Sequence, residues 1–530
     1  MVYLVGILIG ILIFILVGLV LSKRIANVED YYVSGRNAPT VLITGSLVAS
    51  FLSSVTFMGE AGFSYDGYPI IQLILVIFNA SGYVFGVFLF GRFLRRSNAL
   101  TVPEYFGKRF NSKKIQRAAG ITTIIGISAY IVAVTMGGAL LFSSVSGFSY
   151  TVSLIIIWFA YTSFTFLSGA KGVLVNDTLM FFIFLFATVV ALPFILNVTG
   201  GWPNAIIEAA STPGKEGILD WHGIVGENAY FSTPAEALVW AVVLGLVWGT
   251  IVSVSPWQTS RYLMAKSEHV VIRSGIIGMI SIMVIYLILH ISMTTVNNIN
   301  PNITPSENVF IWTAINVMPT WLGILILLGI MSAVLSSCST FLQLIGNSVS
   351  NDIFINKKNS DMSLLRFSRI VMLLSSIVIL IFTFWQPPAV MWIGYFAATL
   401  FAASWGPVAF ASIFSKKINK EAAFWSIIVG FAAVFVCEII QKFWFSFPIY
   451  FHPVIIGVVL STLILFVGSK FGEVTEEERL FQQQLWKAPD DLADPKEMNI
   501  TKRYPNILIF GGALVIVLTF ILYYIPLNLL

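Results

Sequence analysis

Residues 45–59, GSLVASFLSSVTFMG, are apolar enough to lie in a bilayer, yet Ser50, Ser53, Ser54 and Thr56 cluster near their middle. Hydroxyl side chains offer the backbone alternative hydrogen bonds, and β-branched neighbours lower helix propensity, so the middle of this stretch is predicted to unwind. Unwinding frees main-chain carbonyls around Ala49 and Leu52. A small hard cation crossing hydrocarbon needs such oxygens in place of its hydration shell. Small residues also let membrane helices approach closely, and the segment by itself does not separate the two readings.

The rest of the chain identifies the solvent. Its 530 residues are 57% hydrophobic and only 10% charged, too little charge to cover a soluble domain of this length. The apolar residues fall into runs of about 20, the length that crosses a ~30 Å hydrocarbon layer as a helix. Such runs lie at 2–22, 38–58, 68–91, 118–143, 150–168, 173–197, 236–258, 272–294, 319–345, 367–385, 388–414, 422–440, 453–468 and 505–525. The expected fold is therefore an all-α polytopic membrane protein of about fourteen transmembrane helices, a leading helix followed by spans one to thirteen. Residues 2–21 lack a preceding basic stretch and a small-residue cleavage site, so they read as a span rather than a signal peptide. Cys338 and Cys437 both sit inside apolar runs and point to neither a disulfide framework nor a zinc site.

Charge gives the orientation. Lys23 and Arg24 follow the leading helix, which places the N-terminus outside. With alternation from there, all of the 30 Lys and Arg residues except Lys215 and Lys442 fall in cytoplasmic segments, helix ends included. The net charge of +5 is thus a topology signal and not a nucleic-acid footprint. The expected partners are the lipid bilayer and a small-molecule solute, and the expected location is the cell (plasma) membrane, with both termini outside.

Two long connections occupy matching places on opposite faces. One follows span two on the inside and carries VPEYF at 102–106; the other follows span seven on the outside and carries VFIWTAI at 309–315. Spans one to five and six to ten then form an inverted repeat. The expected division is 1–37 (leading helix and cytoplasmic loop), 38–200 (first repeat), 201–235 (extracellular loop), 236–414 (second repeat) and 415–530 (spans eleven to thirteen). Within the last, the polar cytoplasmic stretch 470–503 reads as a solvated linker.

Span eight holds a second hydroxyl cluster in MSAVLSSCSTFLQLIGNS at 331–348. Ser336, Ser339 and Thr340 share one helix face, with Ser337 on its edge. Asp177 lies inside span five, where a carboxylate costs roughly 2.5–3.5 kcal/mol on insertion scales, so it should face a partner or an ion. A pair with Lys171 at the membrane end is the simpler alternative. Glu60 and Glu438 lie near outer helix ends, where a place at the water interface is open to them, and His290 reads as a packing residue. No paired carboxylates, histidine cluster or nucleophile motif points to an enzyme.

Six pieces, EDYYVSGR (29–36), VPEYFGKRF (102–110), GVLVND (172–177), PWQTSRY (256–262), AVLSS (333–337) and WGP (405–407), stand in an order that resembles the sodium:solute symporter family. The resemblance runs from about residue 30 to 430. It implies a LeuT-type 5+5 inverted repeat with one leading and three trailing helices, and sodium-coupled symport by alternating access. It implies a principal sodium held by carbonyls of Ala49, Leu52 and Ala333 and hydroxyls of Ser336 and Ser337. A second sodium is implied at Asp177, Ser339 and Thr340. Substrate would lie among Ser53, Thr56, Gln72, Tyr130, Trp248 and Thr250. Phe51 and Val55 stand where sugar-transporting members carry polar groups, and Tyr130 replaces the arginine of sialate-transporting members. The expected solute is small, polar and organic: a monocarboxylate or other organic anion, or an amino acid. The alternative function is a transporter-like membrane sensor signalling to a separate partner.

Overall fold

The computed structural model describes residues 2–23, 27–354, 361–385 and 390–529. Arg24, Lys357 and Lys358 of the charge pattern, and the first two residues of the expected tenth span, lie outside these. Twelve helices are long and apolar enough to cross a membrane, and the bent pair Thr40–Phe51 with Val55–Asp66 makes thirteen. Span four, expected at 150–168, is the first part of the helical trace Tyr150–Val198 and includes the apolar helix Tyr150–Ser163. Gly169, with φ of 55° and ψ of −161°, turns this trace where span four gives way to span five. A side chain there would also strike the Tyr31 ring, with its Cβ 2.5 Å away. Among the described residues there is no strand beyond two isolated bridges, Ala38 with Ala265 and Val225 with Phe231.

The two five-span units share landmarks. Span one bends by 56° between Phe51 and Val55. Span six runs as Pro234–Val254 and Pro256–Met264, interrupted at Ser255 (φ −63°, ψ 148°), where Pro256 has no N–H to continue the ladder. Span two is followed by the eight-residue helix Val102–Arg109, and span seven by the eight-residue helix Val309–Asn316. The apolar stretches noticed in the two long connections are these helices.

Lipid is as apolar as a side-chain core, so helices in a membrane associate by close packing. Spans two and six come within backbone contact: a Cβ at Gly82 would lie 2.3 Å from the Gly249 carbonyl oxygen. Span eight packs along span five, and the inner half of span one lies against span five. Gly45 makes that last approach, its position 2.8 Å from the Thr178 Cα for a built Cβ.

The stretch 470–503 is not a purely solvated linker. Residues Glu476–Trp486 form a helix opened by a capping box at Thr475 and Glu478. Gln482 donates to the carbonyls of Ile413 (2.8 Å) and Ser415 (3.0 Å) at the end of span ten. The buried Arg109 reaches the Glu478 carbonyl at 3.3 Å, and Trp486 packs on Phe93 with ring centroids 4.9 Å apart. These apolar and amide side chains are spaced along one helical face, a pattern that the overall polarity of the stretch hides.

Gly82→Ala should drive spans two and six apart and destabilise the fold by about 1–3 kcal/mol, as overpacking does. The check is the thermal unfolding midpoint of the purified protein in detergent; an unchanged midpoint would mean that the two spans do not pack this closely.

Candidate functional site

Span one stops being a helix where its hydroxyls begin. The Leu52 N–H closes the last turn on the Val48 carbonyl at 3.0 Å, and Leu52 itself is extended (φ −73°, ψ 123°). The Val55 N–H then turns to the Ser53 hydroxyl (3.2 Å), while those of Thr56 and Phe57 turn to the Ser53 carbonyl (3.1 and 3.0 Å). Among the described residues no amide of Ser53 bonds the Ala49 carbonyl. The chain resumes as a wide i→i+5 turn over Val55–Glu60, a form that is rare and concentrated at functional sites. Carbonyl oxygens from Ala49 to Leu52 are thereby released in a wholly buried place.

Span eight answers this break. The Ser337 hydroxyl points at the Leu52 carbonyl, 3.5 Å away. Ala49, Leu52, Ala333, Ser336 and Ser337 are all fully buried. One turn earlier along span one, beside Ser46, Asp177 of span five is fully buried too. Its Oδ1 accepts from Ser336 (2.7 Å); its Oδ2 accepts from Ser46 (2.5 Å), Thr340 (3.5 Å) and the Arg261 guanidinium (3.2 Å). Arg261 also donates through Nε to Ser46 at 2.6 Å and through Nη2 to Thr340. Ser339 stands apart from this group, donating to the Ser336 carbonyl of its own helix at 2.9 Å.

Arg261 is the partner that the sequence reading did not assign to Asp177. Counted with the cytoplasmic segments, it is only 1% exposed and is the ion-pair partner of Asp177, a role for which Lys171 was the alternative. The interruption at Ser255 explains the difference, since it begins a new helix, Pro256–Met264, that carries Arg261 into the bundle.

A second buried carboxylate lies on the other side of the break. Glu60 is 4% exposed, not at the water interface. The hydroxyls of Tyr395 and Tyr286 each donate to it at 2.7 Å. Thr56 lies 3.0 Å from the Tyr286 hydroxyl, and the Gln72 amide donates to that of Tyr395 at 3.1 Å. Trp248 packs edge-on against Tyr395 (5.2 Å) and Phe51 (5.9 Å). Of the expected substrate residues, Thr56, Gln72 and Trp248 therefore converge on one spot. Ser53 caps the break, and the Tyr130 ring lies tilted against Phe341 with centroids 4.9 Å apart. Thr250 does not join them: its hydroxyl donates to the Leu246 carbonyl of its own helix and its methyl faces Gly406 of span ten.

A profile of the sodium:solute symporter family matches residues 31–430. The chain belongs to the sodium:solute symporter family. Curated relatives include the sodium/pantothenate symporter of Haemophilus influenzae, 24% identical over 84% of this chain and 90% of its own length. The sodium/proline symporter of the same organism is 24% identical over 88% of this chain and 94% of its own length. Among solved structures, a substrate-bound, outward-open sodium-coupled sialic acid symporter superposes with a TM-score of 0.77 at 18% identity, covering 89% of this chain and 98% of that one.

This sodium:solute symporter is thus a multi-pass integral membrane protein with a LeuT-type fold that couples solute transport to sodium, and it is not an enzyme. In the symporter, Phe51, Ser46, Tyr286, Tyr395 and Arg261 are the contact residues that the sequence reading did not assign to a site. Aromatic residues within membrane spans are commonplace, so nothing marked Tyr286 or Tyr395. Arg261 had a visible signal, a lone arginine five residues beyond a proline that follows an apolar run.

A buried ion pair is costly to break by halves, about 3–5 kcal/mol when one partner is left charged and alone. Arg261→Gln and Asp177→Asn should each lower the thermal midpoint markedly, and the double variant should recover part of the loss. Additive losses in this cycle would deny the pair.

Proposed function

We propose that the symporter carries one sodium between the broken span one and span eight, held by the carbonyls of Ala49, Leu52 and Ala333 and the hydroxyls of Ser336 and Ser337. The observation that carries this is the Ser337 hydroxyl facing the Leu52 carbonyl where the helical ladder is interrupted. Oxygens of this kind suit a small hard cation. Among the described residues no three His, Cys, Asp or Glu side chains cluster as they would around a transition metal.

The second sodium, at Asp177, Ser339 and Thr340, is proposed for a conformation in which Arg261 has withdrawn, because its guanidinium donates to both Asp177 and Thr340. Ser336 bridges the two positions: it bonds Asp177 and neighbours Ser337.

In the proposed cycle sodium enters from outside and ties span one to span eight. Solute binds beside it among Ser53, Thr56, Gln72, Tyr130 and Trp248, and the bundle containing spans one, two, six and seven rocks against the remaining spans. Moving one charge through 100 mV yields about 2.3 kcal/mol. At about 1.4 kcal/mol per decade that sustains roughly a 50-fold solute gradient per ion, before any sodium gradient is added. The solute class is a small organic anion or amino acid; relatives named for pantothenate and for proline fall on either side of that choice. Uptake would proceed across the plasma membrane with both termini outside. The sensor alternative finds no support, since the relatives are transporters.

Ser337→Ala removes one proposed sodium oxygen without touching Asp177. It should weaken sodium affinity about tenfold or more, a loss of ~1.4 kcal/mol, and Ser336→Ala with Ser337→Ala should abolish sodium-driven uptake in proteoliposomes while membrane insertion persists. Unchanged sodium affinity in the double variant would place the ion elsewhere.

A further inference from the structure

Around the outer half of span one, five side chains close into a ring. Phe51 meets Trp248 (centroids 5.9 Å apart), Trp248 meets Tyr395 (5.2 Å), Tyr395 donates to Glu60 (2.7 Å), Glu60 accepts from Tyr286 (2.7 Å), and Tyr286 returns to Phe51 (6.3 Å). Spans one, six, seven and ten each contribute, so the ring is a product of the fold and not of one helix.

The chemistry of this ring is selective. Glu60 is buried between two tyrosine hydroxyls, and none of the ion pairs among the described residues includes it. This contrasts with Asp177, which has Arg261. Hydroxyl donors steady a carboxylate at membrane depth but leave its charge unmatched. Aromatic faces carry negative quadrupoles and attract cations, most strongly when water is excluded. Two further buried polar atoms border the ring without a partner: the Gln72 carbonyl oxygen and the Trp248 indole N–H. The first accepts hydrogen bonds from an N–H-bearing cation, and the second donates to an acceptor group on the same solute. An anionic group placed against Glu60 would be repelled.

We propose that Glu60, with the faces of Phe51, Trp248, Tyr286 and Tyr395, forms the binding site for an ammonium group of the transported solute. The inference rests on the transport reading above and narrows its solute class. Of the two kinds considered there, it selects solutes with a positively charged nitrogen, amino acids among them, over simple organic anions. The cation replaces the tyrosine hydroxyls as the partner of Glu60. Solute arrival therefore changes the contacts of spans one, seven and ten together, beside the break that carries the proposed sodium site.

The test uses the purified full-length symporter and matched probes that differ only in the charged nitrogen. These are proline against tetrahydrofuran-2-carboxylate, choline against 3,3-dimethyl-1-butanol, and pantothenate as an anion without such a nitrogen. Thermal unfolding midpoints are read in sodium and in potassium, since a ligand that binds only the folded state raises its stability. The ammonium member of at least one pair should stabilise the protein in sodium at a concentration about tenfold lower than its isostere or pantothenate requires. Glu60→Gln should erase that preference while keeping the shift produced by sodium alone. No advantage for the ammonium member in either pair, an advantage that survives Glu60→Gln, or loss of the sodium shift in that variant would each overturn the assignment. If Glu60→Gln does not fold, the matched pairs on the unaltered protein still decide. Failure of the transport reading looks different: there, sodium alone would not shift the unaltered protein at all.

Discussion

A main-chain carbonyl inside a membrane has to find a hydrogen-bond donor or a cation, and this constraint governs the whole centre of the molecule. A continuous helix meets it internally. Span one does not, because Ser53 captures amides that would have continued the ladder, and Leu52 is left extended with its carbonyl turned toward Ser337 of span eight. The surrounding packing makes that break tolerable. Spans two and six meet at glycines, span five meets the inner half of span one at Gly45, and the bundle excludes lipid from the freed oxygens.

Two buried carboxylates flank the break and are handled differently. On the inner side Asp177 is neutralised by Arg261 and bonded by Ser46 and Ser336, so the charge there is matched within the chain. On the outer side Glu60 accepts from the hydroxyls of Tyr286 and Tyr395, and no ion pair among the described residues includes it. The inner arrangement is complete by itself, whereas the outer one becomes complete when a cation arrives. Placed on either side of one interrupted helix, they give sodium, solute and a tethered guanidinium a shared element through which to act on one another.

Much of this was legible in the sequence. Apolar runs gave most of the spans, and the hydroxyls at 50–56 marked the break within a residue or two. The reason is that both signals are local: twenty apolar residues or four hydroxyls act on their own stretch of chain. Partner choice is not local. Asp177 was recognised as needing a counter-charge, but the nearest basic residue in sequence, Lys171, is not the one the fold delivers. Arg261 arrives because Ser255 and Pro256 interrupt span six. Glu60 looked interfacial because it lies two residues past the end of a span read as 38–58 and counted as straight, and the wide turn at Val55–Glu60 with the 56° bend buries it.

The central claim, that sodium binds where span one comes apart against span eight, is tested most directly by amide hydrogen exchange on the protein in lipid nanodiscs, in sodium and in potassium at equal ionic strength. Sodium should slow exchange of the amides at 52–56 and 333–340, with little change in the peripheral spans eleven to thirteen. Identical exchange of those two segments in the two salts would contradict it.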